Sequence, residues 1–132
     1  MDYLSGKKTY VKSVVDEESG KYLSAKFTFN TLCDYIFINL SSDEKVEICD
    51  RFLSEEMKKI FRDKELVESV NAFFTNNLNI SETSRNAFLH RNTLLYRIEK
   101  IYRKTGLNVR KFDDAVTFKI LSIINAKKNY NG

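Results

Sequence analysis

The scarcity of residues that break helices is the feature that most constrains this chain. Its 132 residues contain no proline and only four glycines, and these two residue types cost the most inside a helix. Hydrophobic residues make up 42% and charged residues 30% of the chain, which is typical of a globular protein with a modest core. The sequence therefore predicts an all-α fold, a helical bundle.

Apolar residues recur at helical spacing along most of the chain. The first apolar stretch, about 21–40, is dense enough to predict a helix that is largely buried, at least in its second half. Val46, Cys49 and Phe52, with Ile48 and Leu53 beside them, are expected to form the inward face of the next helix. The spacing predicts these helices, in chain order: about 21–40, 42–53, 54–61, 66–77, 81–88, 91–105 and 113–127.

Polar residues and one glycine indicate where several of these helices begin and end. Ser42 and Ser54 each precede acidic residues and predict helix starts, since a hydroxyl caps the first amides and acids favour the positive end of the helix dipole. Ser81 and Asp113 are predicted as further N-caps. Gly106 is predicted to end the helix before it.

Several classes of protein are disfavoured by what the sequence lacks. No run approaches the roughly 18 apolar residues needed to cross a membrane, and the first ten residues have no apolar signal core, so a cytoplasmic protein without membrane contact is expected. Cys33 and Cys49 have no companion histidines, and His90 is the only histidine. We therefore expect no metal, no disulfide, no cofactor and no enzyme activity.

Positive charge is concentrated in one segment of the chain. Residues 81–111 contain eight lysines and arginines and two acids, a net charge of +6, whereas the whole chain carries only +4. A basic face is often merely solvated, but a concentrated positive field also attracts nucleic acid. The charge therefore directs attention to residues 81–111.

The segment Ile80 to Gly106 has the plan of a helix-turn-helix: a short helix, a tight break and a longer helix. Ser84 and Ala87 are small enough to let the second helix cross closely over the first. Ala87, Phe88 and Leu89 are expected to anchor that crossing in the core.

The spacing within the longer helix predicts which side faces outward. Leu94, Ile98 and Ile101 share one face and are expected to point inward. The opposite side carries residue types that suit DNA, because arginine, lysine and asparagine bind phosphates or base edges. Base or nearby phosphate contacts are predicted for Arg91, Asn92, Thr93 and Tyr96, and backbone contacts for His90, Arg97, Lys100 and Arg103.

The octapeptide HRNTLLYR, residues 90–97, followed after eight residues by Gly106, resembles the C-terminal helix-turn-helix of bacterial regulators of the PucR and CdaR type. These control purine catabolism and the use of sugar diacids. The resemblance implies a sequence-specific transcription regulator, or a fragment of one, whose recognition helix over about 91–105 docks in the major groove. Ser84 stands where the family usually has alanine, and Ala87 where it usually has leucine.

The resemblance also implies an organisation and partners. We expect residues 1–20 to be a lead-in or a remnant of an upstream region, with a short strand or a disordered tail as alternatives. Residues 21–62 are predicted to be a helical connector and residues 63–132 the DNA-binding domain. The expected partners are double-stranded DNA and a second copy in a homodimer. Any small-molecule effector would be sensed by an upstream region that this chain is too short to contain.

A different function remains open at this stage. The apolar N-terminal helices would suit a protein-interaction or assembly module that docks a partner without binding DNA. Replacing Arg97 with glutamate would abolish DNA binding under the first hypothesis and leave partner binding intact under the second.

Overall fold

The structure, a computed structural model, describes residues 28–131, with side chains to residue 127. Within that range the chain is all-helical, without a strand, which confirms the predicted fold class. The expected lead-in over residues 1–20, as a strand or a tail, lies outside the described residues. The helices are α1 (Phe29–Ile38), α2 (Ser42–Phe52), α3 (Glu55–Arg62), α4 (Lys64–Thr75), α5 (Ile80–Asn86), α6 (Arg91–Thr105) and α7 (Phe112–Asn131).

Short polar side chains begin the central helices by satisfying amides that have no partner within the helix. Ser54 caps α3 as predicted, its Oγ accepting from the Met57 amide at 3.2 Å. Asp63 caps α4 by accepting from the Leu66 amide at 3.2 Å. Asn79 caps α5. These caps define where three consecutive helices begin.

Three predicted caps were wrong. Ser42 is the first residue within α2 and not the residue before it, although the predicted start of the helix is correct. The cap of α5 is Asn79, whose Oδ1 accepts from the Glu82 amide at 2.8 Å, so the helix begins one residue before Ser81.

Asp113 lies inside the first turn of α7 and is not its cap. Its neighbour Asp114 accepts instead from the Asn108 amide at 2.9 Å and so ties the preceding loop to the helix.

The chain divides into two compact units, with the boundary between Ser42 and Asp43. In the first unit, Thr28 and Thr31 form a capping box at the start of α1. No residue of α1 is buried, and Leu32 and Ile36 are exposed. The prediction of a largely buried helix was therefore wrong for residues 29–38.

The second unit is built around α3, α4 and α6. Helix α3 packs against α4, α6 and α7, while α5 packs against both α4 and α6. Aromatic rings fill the space near α7, with Phe61 5.1 Å and Phe74 6.1 Å from Phe118 between ring centroids. The fully buried hydrophobic residues of this core are Leu66, Val70, Phe73, Leu94, Ile101, Val109 and Phe118.

Helix α2 buries only part of the side that was predicted to face inward. Cys49 is buried, and so is Leu53 just beyond the helix, but Val46 and Phe52 are more than half exposed. Of the five residues predicted to face inward, Cys49 and Leu53 are buried and Ile48 is half-buried, whereas Val46 and Phe52 are exposed. Cys49 and Leu53 are four residues apart and share a side, whereas Phe52 lies roughly a quarter turn away from them.

None of the helices among residues 28–131 combines the length and the apolarity that a membrane crossing requires.

Candidate nucleic-acid interface

Helices α5 and α6 pack together across a break of four residues, 87–90. Thr83 of α5 and Leu94 of α6 are both completely buried. Thr83 is held by its own helix, since its Oγ1 donates to the Asn79 carbonyl oxygen at 2.6 Å. The short first helix, the tight break and the longer second helix agree with the predicted plan.

The break between the two helices is not anchored as predicted. Phe88 has a φ of +52° and is 95% exposed, and Ala87 is also exposed. Only Leu89 is half-buried, and its amide donates to the Ser84 carbonyl oxygen at 3.0 Å. The left-handed backbone at Phe88 turns the chain sharply and points its ring to solvent. The core contacts between the helices therefore come from within them.

The first turn of α6 is exposed and has a polar surface. His90 is the N-cap, with its Nδ1 accepting from the Asn92 amide at 3.0 Å. Arg91 lies within reach of α5, its Nη1 3.4 Å from Ser81 Oγ. Asn92 is exposed and Thr93 is half-buried. This turn carries no acidic residue, so the positive end of the helix dipole is not neutralised locally.

The side of α6 opposite the core carries a second group of exposed residues. Leu94, Ile98 and Ile101 are buried, as predicted. Tyr96 is 60% exposed, and the Arg103 guanidinium carbon lies 5.9 Å from the centroid of its ring. Arg103 also approaches Glu99, the one acid of this helix, at 4.0 Å.

Arg97 and Lys100 differ from the other predicted contact residues, because the structure turns both toward the start of α4. Arg97 Nη1 donates to Ser69 Oγ at 2.6 Å, and its Nη2 donates to Glu65 Oε2 at 3.2 Å. Lys100 Nζ lies 3.7 Å from Asp63 Oδ2.

These three partners at α4 and its cap could not be found from the sequence. They lie roughly 30 residues before Arg97 and Lys100 in the sequence, and no local spacing connects them with these two residues. The structure thus brings six of the eight predicted residues, His90, Arg91, Asn92, Thr93, Tyr96 and Arg103, to the start and outer side of α6. Their contact with DNA stays a prediction.

The arrangement holds no evident centre for metal chemistry. Among the described residues, no three histidine, cysteine or acidic side chains are grouped so that they would hold a metal ion. What the exposed side of α6 offers is a helix end with hydrogen-bond donors, amide and hydroxyl groups and cations, which are groups that bind phosphates and base edges.

The packed pair of α5 and α6 defines this part of the chain as a helix-turn-helix domain. Residues 66–122 match the model of the PucR C-terminal helix-turn-helix domain family. The match runs from the first core residue of α4 well into α7, so it includes the interface described above. It confirms the resemblance first indicated by residues 90–97.

Curated proteins are also similar to this chain in sequence. The uncharacterized protein YxkF of Bacillus subtilis is 30% identical over 93 residues, which are 70% of this chain and 31% of that protein. The carbohydrate diacid regulator of Escherichia coli is 46% identical over 43 residues, 33% of this chain and 11% of that protein. The chain thus spans less than a third of the length of these relatives. No solved structure gives a significant match.

Proposed function

We propose that this chain binds duplex DNA sequence-specifically through α6 and acts as a transcription regulator, or as the DNA-binding part of one. The observation that carries the proposal is the first two turns of α6, which are exposed at Arg91, Asn92 and Tyr96 and contain no acid. In helix-turn-helix proteins this end of the recognition helix enters the major groove.

The residue types at this end suit specific roles. The Asn92 amide can form two hydrogen bonds with an adenine edge, and Arg91 can bind a guanine edge or a phosphate. Thr93 and Tyr96 carry hydroxyls suited to phosphate oxygens. We assign backbone contacts to His90, just before the helix, and to Arg103, nearer its other end. Lys100 points toward Asp63 at 3.7 Å, so a backbone contact there requires that ion pair to open.

The surrounding charge supports the same function. Residues 81–111 carry a net charge of +6, which favours a polyanionic partner and speeds encounter with it. Binding that neutralises phosphates releases counterions, so the logarithm of the affinity should fall with the logarithm of salt concentration by about 0.9 per phosphate contact.

The wider biological role rests on the family and its regulators. One of the relatives is a carbohydrate diacid regulator, and we propose that this chain also controls transcription in the cytoplasm. A homodimer on a two-fold site is expected, with half-sites about 34–36 Å apart. An effector, if one exists, would act through a region upstream of those described here.

The test is a fluorescence anisotropy titration with labelled random-sequence and genomic duplex fragments at two salt concentrations. Wild type is compared with an Asn92→Ala, Arg103→Ala double variant. The control is Arg51→Ala, which removes an exposed arginine from α2, where it pairs with Glu47 at 3.0 Å. Its side chain is 69% exposed, against 55% for Arg103.

We expect wild type and the control to bind with strong salt dependence and to prefer some genomic fragments over random duplex. The double variant should lose that preference and most of its affinity. If wild type does not bind DNA at low salt, or if the control loses as much affinity as the double variant, the assignment of α6 as a recognition helix is wrong.

A further inference from the structure

Two helices of the domain are joined by a hydrogen-bonded node that no local pattern in the sequence indicates. The Arg97 guanidinium of α6 binds Ser69 and Glu65, which lie one turn apart on α4. The side chain of Arg97 is only 23% exposed. Arg97 therefore differs from Arg103, whose side chain is 55% exposed and lies on the outer side of the same helix.

The two partners of Arg97 contribute differently. Ser69 is buried, and its hydroxyl is held in position because it donates to the Glu65 carbonyl oxygen at 2.9 Å. Glu65 is 80% exposed in its side chain, so its ion pair with Arg97 is screened by solvent and worth little. The bond to Ser69, at 2.6 Å, is partly buried. It is therefore better shielded from solvent than the ion pair, and its charged donor makes it stronger than a bond between neutral groups.

The shape of the guanidinium suits it to this node. Its separate Nη atoms bind two acceptors at once, which defines the orientation of the side chain as well as its distance from α4. A binding surface requires its recognition groups to be held within a fraction of an ångström by supporting contacts. Arg97 lies just one residue after Tyr96 in the helix proposed to enter the groove.

We propose that Arg97 is a positioning residue, which sets the orientation of α6 on α4 through Ser69, and that it is not the phosphate contact predicted from the sequence. The inference rests on the proposed function. It implies that DNA affinity depends on Ser69, an uncharged and buried residue that cannot itself reach DNA. It also implies that Arg97 contributes to affinity without neutralising a phosphate.

The two roles are separated by variants that change charge and geometry independently. Ser69→Ala removes the acceptor and leaves every charge in place. Arg97→Lys keeps the charge but loses the two-pronged geometry, whereas Arg97→Ala loses both. Arg103→Ala is the comparison, because it removes a cation from the proposed backbone-contacting side. Each variant is titrated with the best-binding duplex over a range of salt, at a temperature where urea unfolding shows it to be folded.

We expect Ser69→Ala and Arg97→Lys each to weaken binding by about fivefold or more, on the scale of a lost charged hydrogen bond. Their salt slopes should equal that of wild type. Arg97→Ala should also keep that slope to within about 0.3, whereas Arg103→Ala should reduce it by about 0.9, the value for one phosphate contact.

The inference is overturned if Ser69→Ala and Arg97→Lys bind as tightly as wild type while Arg97→Ala reduces the slope as much as Arg103→Ala does. That result would make Arg97 a phosphate contact and leave the proposed function intact. If wild type shows no salt-dependent binding at all, the proposed function fails first, and the inference fails with it.

Discussion

Replacing Ser84 with alanine should stabilise the domain, although most substitutions within a packed helix destabilise it. The Ser84 Oγ atom is buried and has no hydrogen-bond partner among the described residues. A buried hydroxyl without a partner costs about 1–3 kcal/mol, and alanine also has the higher helix propensity, by up to roughly 0.5 kcal/mol. We therefore expect the free energy of unfolding to rise by about 1–2 kcal/mol.

The matched control is the same chemical change at Ser69, where the hydroxyl is buried and bonded to both Arg97 and the Glu65 carbonyl oxygen. Ser69→Ala should lower the free energy of unfolding by about 1–2 kcal/mol, because a charged donor loses its buried acceptor. Ser84→Ala and Ser69→Ala each remove one buried hydroxyl oxygen, yet they are expected to change the free energy of unfolding in opposite directions.

Equilibrium unfolding in urea, followed by far-ultraviolet circular dichroism, measures both changes. With a denaturant slope of about 2 kcal/mol/M, each 1 kcal/mol shifts the midpoint by about 0.5 M. The slope itself should stay constant. If Ser84→Ala lowers the midpoint as Ser69→Ala does, the Ser84 hydroxyl has a partner and the reasoning from burial is refuted.

Three further predictions concern the ends of α6. Gly106→Ala should lower the free energy of unfolding by about 1 kcal/mol, because alanine disfavours the φ of +81° at this position. No atom lies within 4 Å of the added Cβ, so no clash adds to that cost. Gly106→Asn should cost less in the same urea assay, because asparagine accepts a left-handed backbone more readily. His90→Ala should lower the free energy of unfolding by about 0.5–2 kcal/mol because the N-cap is lost, and His90→Asn should lower it much less because asparagine can cap the helix. Equal losses in the two variants would contradict the capping role. Phe88→Asn should leave stability unchanged or raise it by up to about 1 kcal/mol, since asparagine tolerates a φ of +52° and almost no burial is lost. A marked drop in its melting temperature would contradict that.

The bounds of the recognition helix could be predicted well from sequence alone. Helix α6 spans Arg91–Thr105, ends at a left-handed Gly106 and buries Leu94, Ile98 and Ile101, all as predicted. These features depend on interactions within a few residues: an apolar repeat, a cap and a glycine that accepts positive φ. The octapeptide at residues 90–97 is likewise a feature of a few consecutive residues, and the family match over 66–122 confirms the resemblance that it indicated.

Errors arose wherever burial depended on a partner element. Helix α1 has apolar residues at helical spacing but no buried residue, and Phe52 of α2 is exposed although its spacing suited the core. Periodicity predicts that a helix has an apolar side, but the elements that pack on it decide how much of that side is covered. Phe88 is exposed for a related reason, since its positive φ directs the ring away from the crossing of α5 and α6.

The sequence by itself determined that the chain is helical, where α6 lies and which residue types its outer side carries. It did not determine where the cations of that helix point. Arg97 meets Ser69 and Glu65, and Lys100 meets Asp63, because α4 packs against α6. Helix capping and amphipathic spacing act over three or four residues, whereas these contacts join residues about 30 apart. Only the packing of the two helices brings them within hydrogen-bonding distance.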